Sequence, residues 1–178
     1  MGILIISGAG LSAPSGAPTF NGKYPIYNNV DLLQSGLEQL EQLKPNTAHK
    51  ELSTLQSEAA KQKIRVRHIT LNVDDLNEVC GATVEHVYGR ARDRSISELA
   101  NIDFYDLSWI SEKLIILVGL SGLGFPLAWL ESYCRNKQKK VISFNLVVNQ
   151  ELECYQCVGD AACSINADRL LSYYESLT

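Results

Sequence analysis

The chain has 178 residues, 46% of them hydrophobic, which is enough for the core of a single domain spanning 1–178. Its 16 basic and 20 acidic residues leave a net charge of -4 with no long run of either sign, which excludes the basic footprint of a nucleic-acid binder. The uncharged stretch 114–130, "LIILVGLSGLGFPLAWL", is broken by glycines, a serine and Pro126, so it reads as a strand, a turn and a helix start and not as a membrane span.

The first predicted element is a strand from Ile3 to Ile6. It opens at once into "SGAGLSAPSG", in which Gly8, Gly10 and Ala13 fit the loose pattern G-x-G-x-x-A. Many turns between a strand and a helix meet that pattern by chance; at a nucleotide site its small residues let backbone N–H groups approach a phosphate. The N-terminus has no basic segment or cleavage-type site, so a cytoplasmic protein is expected.

Asp31 is placed to cap a helix running through Leu43, with Leu33, Leu37 and Leu40 on one stripe. A second helix starts near Pro45 and Asn46, where Ala48, Leu52, Leu55 and Ala59 keep helical spacing. Strands are predicted at Ile64 to Leu71 and Thr83 to Val87. The segment 90–113 is the least regular, with "RARDRS" followed by a short amphipathic piece around Trp109. It reads as an insertion or a lid, with Phe104, Tyr105 and Trp109 covering core.

Further strands follow at Leu114 to Val118 and Val141 to Leu146, separated by a helix from Phe125 to Asn136 that Pro126 opens. A C-terminal helix covers Ser164 to Leu177, with Leu170 and Leu171 facing the core. The 5 cysteines are an odd number, so reduced thiols are expected. Cys154 and Cys157 form a C-x-x-C without the second ligand pair that a structural zinc site needs, so no metal is predicted.

Strands alternating with helices predict an α/β fold, a Rossmann-like parallel sheet with helices on both faces. Ligands of such sheets bind at the carboxyl ends of the strands. Here those ends read "SGAGLSAPSG", "LNVDD", "YG", "GLSG" and "NLV", so small and polar groups converge from every strand.

These blocks resemble the sirtuins, the NAD-dependent protein deacylases. "GAGLSAPSGAPTF" is similar to that family's GAGxSxxSGIPxFR, "PNTAHKEL" to its PNxxHxxL, and "ITLNVDDLNEVCG" to its ITQNxDxLHxxAG. "VGLSGLGFPLAWL" resembles VGTSLxVxPAxxL, and "FNLVVN" with "VGDAACSI" resembles its INL and GDAxxVL blocks. The resemblance implies that Gly8, Ala9, Gly10 and Ser12 line a turn cradling the NAD pyrophosphate, with Thr19 and Phe20 near the nicotinamide ribose. It implies that Asn72 and Asp74 position nicotinamide and ribose, that Gly119 and Ser121 contact phosphate or ribose, and that Asn145, Leu146 and Ala161 hold the adenosine end.

The chain departs from the family at the chemistry. Tyr88 stands before Gly89 where the family has its catalytic histidine, and Asn21, Leu71, Leu120 and Gly124 replace its arginine, glutamine, threonine and valine. Residues 90–113 contain none of the four zinc cysteines. Tyrosine ionises near pH ~10, so only about a thousandth of it is a base at neutral pH without a perturbing neighbour. His86, two residues earlier on the same strand face but displaced by roughly 7 Å, is the alternative base. His49 and His68 read as structural, one on a helix near a turn and the other inside a strand.

Two functions remain open at this level. One is an enzyme that cleaves NAD at the nicotinamide bond, with transfer to an acyl-lysine peptide or to water. The other is a module that binds NAD or ADP-ribose without turnover.

Overall fold

A computed structural model describes residues 2–17, 38–93, 95–97, 100–122 and 125–177. Strand β1 (Gly2–Ser7) leads into a short helix α1 (Ala9–Ser12) and a 3-10 turn, Ala13–Ser15. Helix α2 (Thr47–Lys61) and β2 (Arg65–Thr70) follow, then α3 (Leu76–Val79) and a two-residue β3 (Glu85–His86). The remainder is β4 (Leu114–Val118), α4 (Leu127–Asn136), β5 (Lys140–Asn145), β6 (Tyr155–Val158), α5 (Ala161–Ser164) and α6 (Ala167–Glu175).

The strands form one sheet in the order β3-β2-β1-β4-β5-β6, with every pairing parallel. Alternate side chains of a strand point to opposite faces. Ile3 and Ile5 accordingly join Ile116 and Val118 in a core covered by Ala48, Leu52, Leu55 and Ala59 of α2 and Leu170, Leu171 and Tyr174 of α6. Leu4 and Ile6 join Ile115 and Leu117 under Leu127, Leu130 and Cys134 of α4. Burial on both faces explains why β1 and β4 read as unbroken apolar runs. The predicted α/β class, a Rossmann-like parallel sheet with helices on both faces, is what the chain forms.

Several boundaries differ from the sequence reading. β6 was not predicted. Pro126 is the N-cap residue of α4 and not its first helical residue. The C-terminal helix starts at Ala167, capped by the Asn166 side chain, after a separate turn of helix, Ala161–Ser164. The Asp31 to Leu43 helix lies largely outside the described residues; its Leu40 is buried.

The described part of 90–113 is fastened to the sheet. Ala91 N–H donates to Val73 O at 2.8 Å, Ser97 N–H to Tyr88 O at 2.9 Å and Asn101 N–H to Val87 O at 3.1 Å. Phe104 meets Phe125 edge-on with ring centres 4.8 Å apart, and Leu107 and Ile110 are buried in the same core. Trp109 packs against that core, but Tyr105 is 76% exposed and covers nothing, contrary to expectation. Among the described residues, no helix is long and apolar enough to cross a membrane.

Candidate functional site

The carboxyl ends of β1, β2, β4 and β5 are joined to one another directly. After β1, Gly8 N–H donates to Val118 O at 2.9 Å and Gly10 N–H to Gly119 O at 3.0 Å. A Cβ on Gly8 would stand 2.9 Å from Gly119 O, and one on Gly10 2.6 Å from Gly119 Cα. Gly119 itself has φ 63 and donates its N–H to Phe144 O at 2.8 Å. Asn145, at the end of β5, donates from Nδ2 to Leu120 O at 2.7 Å and accepts from Leu146 N–H at 3.0 Å.

This corrects one expectation about the glycine turn. Gly8 and Gly10 are small because another turn's backbone lies against them, and their N–H groups are spent on carbonyls at the end of β4. Neither is left for a phosphate. Asn145 likewise serves as a clamp between two strand ends.

Beside that floor lies a buried polar group. Asn72, just past β2, donates from Nδ2 to Gly8 O at 3.1 Å and to Ser12 Oγ at 3.1 Å. Its own N–H donates to Thr70 Oγ1 at 3.1 Å. Asp74 accepts from Leu76 N–H at 3.2 Å, with the Ser12 hydroxyl beside it. Burial pushes the Asp74 carboxyl above its ordinary range, and the Ser12 and Leu76 hydrogen bonds partly offset this. Ser12 is fully buried, while Asn72 and Asp74 are 8% and 5% exposed.

All 3 histidines of the chain surround this group. His49 Nε2 lies 3.3 Å from Ser12 Oγ, His68 Nε2 lies 2.8 Å from Ser7 Oγ, and His86 Nδ1 lies 2.9 Å from Asn72 O. Burial lowers His49 to about 4 and His68 to about 3, so both rings are neutral near pH 7. His49 was read from the sequence as structural only. The spacing Asn46-x-x-His49 at a helix start was the signal that it takes part in a cap.

The other predicted residues fall as follows. Gly119 lies on the floor, Ser121 is exposed on the following loop, and Leu146 is 58% exposed just beyond β5. Ala161 is 5% exposed, within the core shared by α2 and α6. Ala9 is half-buried in the first turn. Thr19 and Phe20 lie outside the described residues.

Comparison with known proteins follows the same lines. An NAD-dependent protein deacylase of Campylobacter jejuni is 35% identical over 49% of this chain and 45% of its own length. One from Vibrio parahaemolyticus is 33% identical over 54% of this chain and 48% of its own. A solved mutant Sir2 homologue with ADP-ribose covers 99% of this chain and 94% of its own at TM-score 0.68 and 22% identity. The chain is sirtuin-like. A Sir2 homologue solved with NAD gives TM-score 0.65 at 22% identity, over 99% of this chain and 90% of its own. These structural matches show the fold. The chain spans about half the length of the deacylases it matches, and no family model matches it.

Within this sirtuin-like frame, Tyr88 is half-buried and packs between two core clusters. His86, the alternative base, is held at both ring nitrogens. Nδ1 faces the Asn72 carbonyl, which only accepts, and Nε2 lies 2.7 Å from Glu78 Oε1. Burial would raise Glu78, but the hydrogen bond and charge of His86, together with Arg90, hold its carboxyl below the ordinary range. Both ring nitrogens of His86 are thus engaged inside the protein, with Asn72 O on one side and the Glu78 carboxylate on the other. To act as a base, His86 would have to leave one of these two partners.

Proposed function

We propose that this sirtuin-like chain binds NAD at the carboxyl ends of its strands and cleaves it at the nicotinamide bond, transferring the ADP-ribosyl group to an acyl-lysine oxygen or to water. The observation that carries this reading is the buried Ser12, Asn72 and Asp74 group beside the Gly8 to Ser12 turn. Both hydrogens of the Asn72 amide are used inside the protein, so its remaining function is to accept. Asp74 adds a buried carboxyl. An acceptor pair suits the hydroxyls of a ribose and an attacking water, and a buried carboxylate stabilises the positive charge that develops as nicotinamide leaves.

Nicotinamide is a cationic leaving group, so orientation and exclusion of competing water supply much of the rate. Deacylation asks for more, because a base must then take a proton from the ribose hydroxyl. The relatives named above are deacylases, and one of their structural counterparts was solved with NAD. On this reading Ala9, Ser12, Asn72, Asp74 and Gly119 line the cofactor side, with Ser121 and Leu146 at its margin and Tyr88 on the substrate side.

A second reading is favoured by a specific observation: a tyrosine, Tyr88, precedes Gly89, and both ring nitrogens of His86 are engaged inside the protein. On that reading the chain holds NAD or ADP-ribose without turnover. Nicotinamide release separates the two, because binding without release leaves only the second.

A further inference from the structure

We propose that His49 is a positioning residue of this site: it fixes the direction of the Ser12 hydroxyl and, together with the Gly8 carbonyl, presents the Asn72 amide to a ligand by its oxygen alone. The inference rests on the NAD reading for its ligand, but its geometry is internal to the chain.

The chain of hydrogen bonds begins at the cap of α2. Asn46 Oδ1 accepts from Ala48 N–H and His49 N–H, and the Asn46 N–H donates back to His49 Nδ1 at 3.2 Å. A backbone N–H can only donate, so Nδ1 carries the lone pair. His49 is fully buried and neutral, so its one proton is on Nε2. That nitrogen faces Ser12 Oγ at 3.3 Å and therefore donates to it.

Ser12 Oγ thus accepts from His49 and from Asn72 Nδ2, which uses both of its lone pairs. Its single proton is left for the neighbouring Asp74 carboxyl, which the Ser12 hydroxyl helps to hold down against the effect of burial. Asn72 Nδ2 has given one hydrogen to Ser12 and the other to Gly8 O. A flipped Asn72 amide would set its oxygen against the Gly8 carbonyl, an acceptor facing an acceptor. A helix cap thus sets the direction of a hydrogen-bond chain that ends at Asp74. The ligand group met by Asn72 must be a donor, a hydroxyl or a water.

His49→Gln keeps the chain, because a glutamine at this capping position accepts the Asn46 N–H through oxygen and has an amide hydrogen for Ser12. His49→Leu removes both bonds. The experiment compares wild type, Gln and Leu chains for nicotinamide release from NAD and for calorimetric binding of ADP-ribose. It also records the imidazole nitrogens and the Asn72 side-chain amide by NMR.

The expected results are an Nε2–H tautomer for His49 at pH 7 and a kcat lowered about tenfold or more in the Leu chain with ADP-ribose Kd held within about twofold. The Gln chain should recover most of the rate. An Nδ1–H tautomer, a Gln chain as impaired as Leu, or an ADP-ribose Kd that rises as far as kcat falls would overturn the assignment. If wild type releases no nicotinamide, the cleavage reading fails by itself. His49 is then judged on its tautomer and on the Asn72 amide resonances, which must shift in the Leu chain; unshifted resonances would overturn it.

Discussion

Gly10 and Gly119 touch backbone to backbone: a Cβ on Gly119 would lie 2.4 Å from Gly10 C, and one on Gly10 would lie 2.6 Å from Gly119 Cα. Neither neighbour is a flexible side chain that can swing away. Gly10→Ala should cost about 1–3 kcal/mol, the usual range for overpacking. Gly119→Ala should cost more, because φ 63 adds a backbone penalty of about 1 kcal/mol. Gly81 is the control, with φ 86 but only Ser53 Oγ at 3.9 Å near its Cβ position. Urea denaturation checks the ranking; a Gly119→Ala chain no less stable than Gly81→Ala would contradict the contact.

Stability should fall on mild acidification because of the buried histidines. The ordinary imidazole value is 6.5, whereas folding lowers His49 to about 4 and His68 to about 3. Below 6.5 the unfolded chain takes up protons that the folded chain does not. The stabilisation is therefore complete above 6.5 and is lost as pH falls toward those lower values, at up to about 1.4 kcal/mol per pH unit for each ring. Asp74 acts with the opposite sign, since its raised value lets the folded chain hold a proton that the unfolded chain releases. His68→Gln should flatten the slope between pH 4.5 and 6.5 by about one proton. Urea curves across that range measure it, and an unchanged slope would show that His68 is not held neutral.

Much of the architecture was legible because β1 and β4 are apolar runs of the length a buried parallel strand needs, and β2 and β5 carry apolar residues between polar ones. Helix α2 followed the spacing of Ala48, Leu52, Leu55 and Ala59, all of which are buried. Strand β6 was not legible: its residues Tyr155–Val158 lie at the sheet edge, none fully buried, so no face is marked by hydrophobicity. β3 was drawn too long because only Glu85–His86 pair with Ile69 and Thr70. At the site, Asn72 and Asp74 were legible from their place after a strand. The role of His49 was not, because it depends on a helix cap meeting a turn 37 residues away in the chain.

Asn72→Ala should remove nicotinamide release by at least about a hundredfold, in the range seen when a transition-state hydrogen-bonding group is lost, while ADP-ribose still binds. Nicotinamide quantified by mass spectrometry, beside calorimetry, checks both halves. Release at the wild-type rate would exclude Asn72 from the chemistry.

Tyr88 is tested in two directions. If it serves as base for transfer to an acyl-lysine, Tyr88→Phe should abolish peptide-dependent release. Tyr88→His should raise it, because an imidazole titrates far closer to neutral pH than a phenol. Rates unchanged in both variants would remove Tyr88 from the reaction.

The central claim is that the strand ends of this sirtuin-like chain hold NAD in a position to be cleaved. The most direct measurement incubates the purified chain with NAD, with and without an acetyl-lysine peptide, and follows nicotinamide by mass spectrometry while calorimetry records NAD and ADP-ribose binding. The account predicts saturable binding of both nucleotides and release of nicotinamide. Dependence on the peptide would mark transfer to lysine, and independence would mark transfer to water. Binding of neither nucleotide, with no release under either condition, would contradict it.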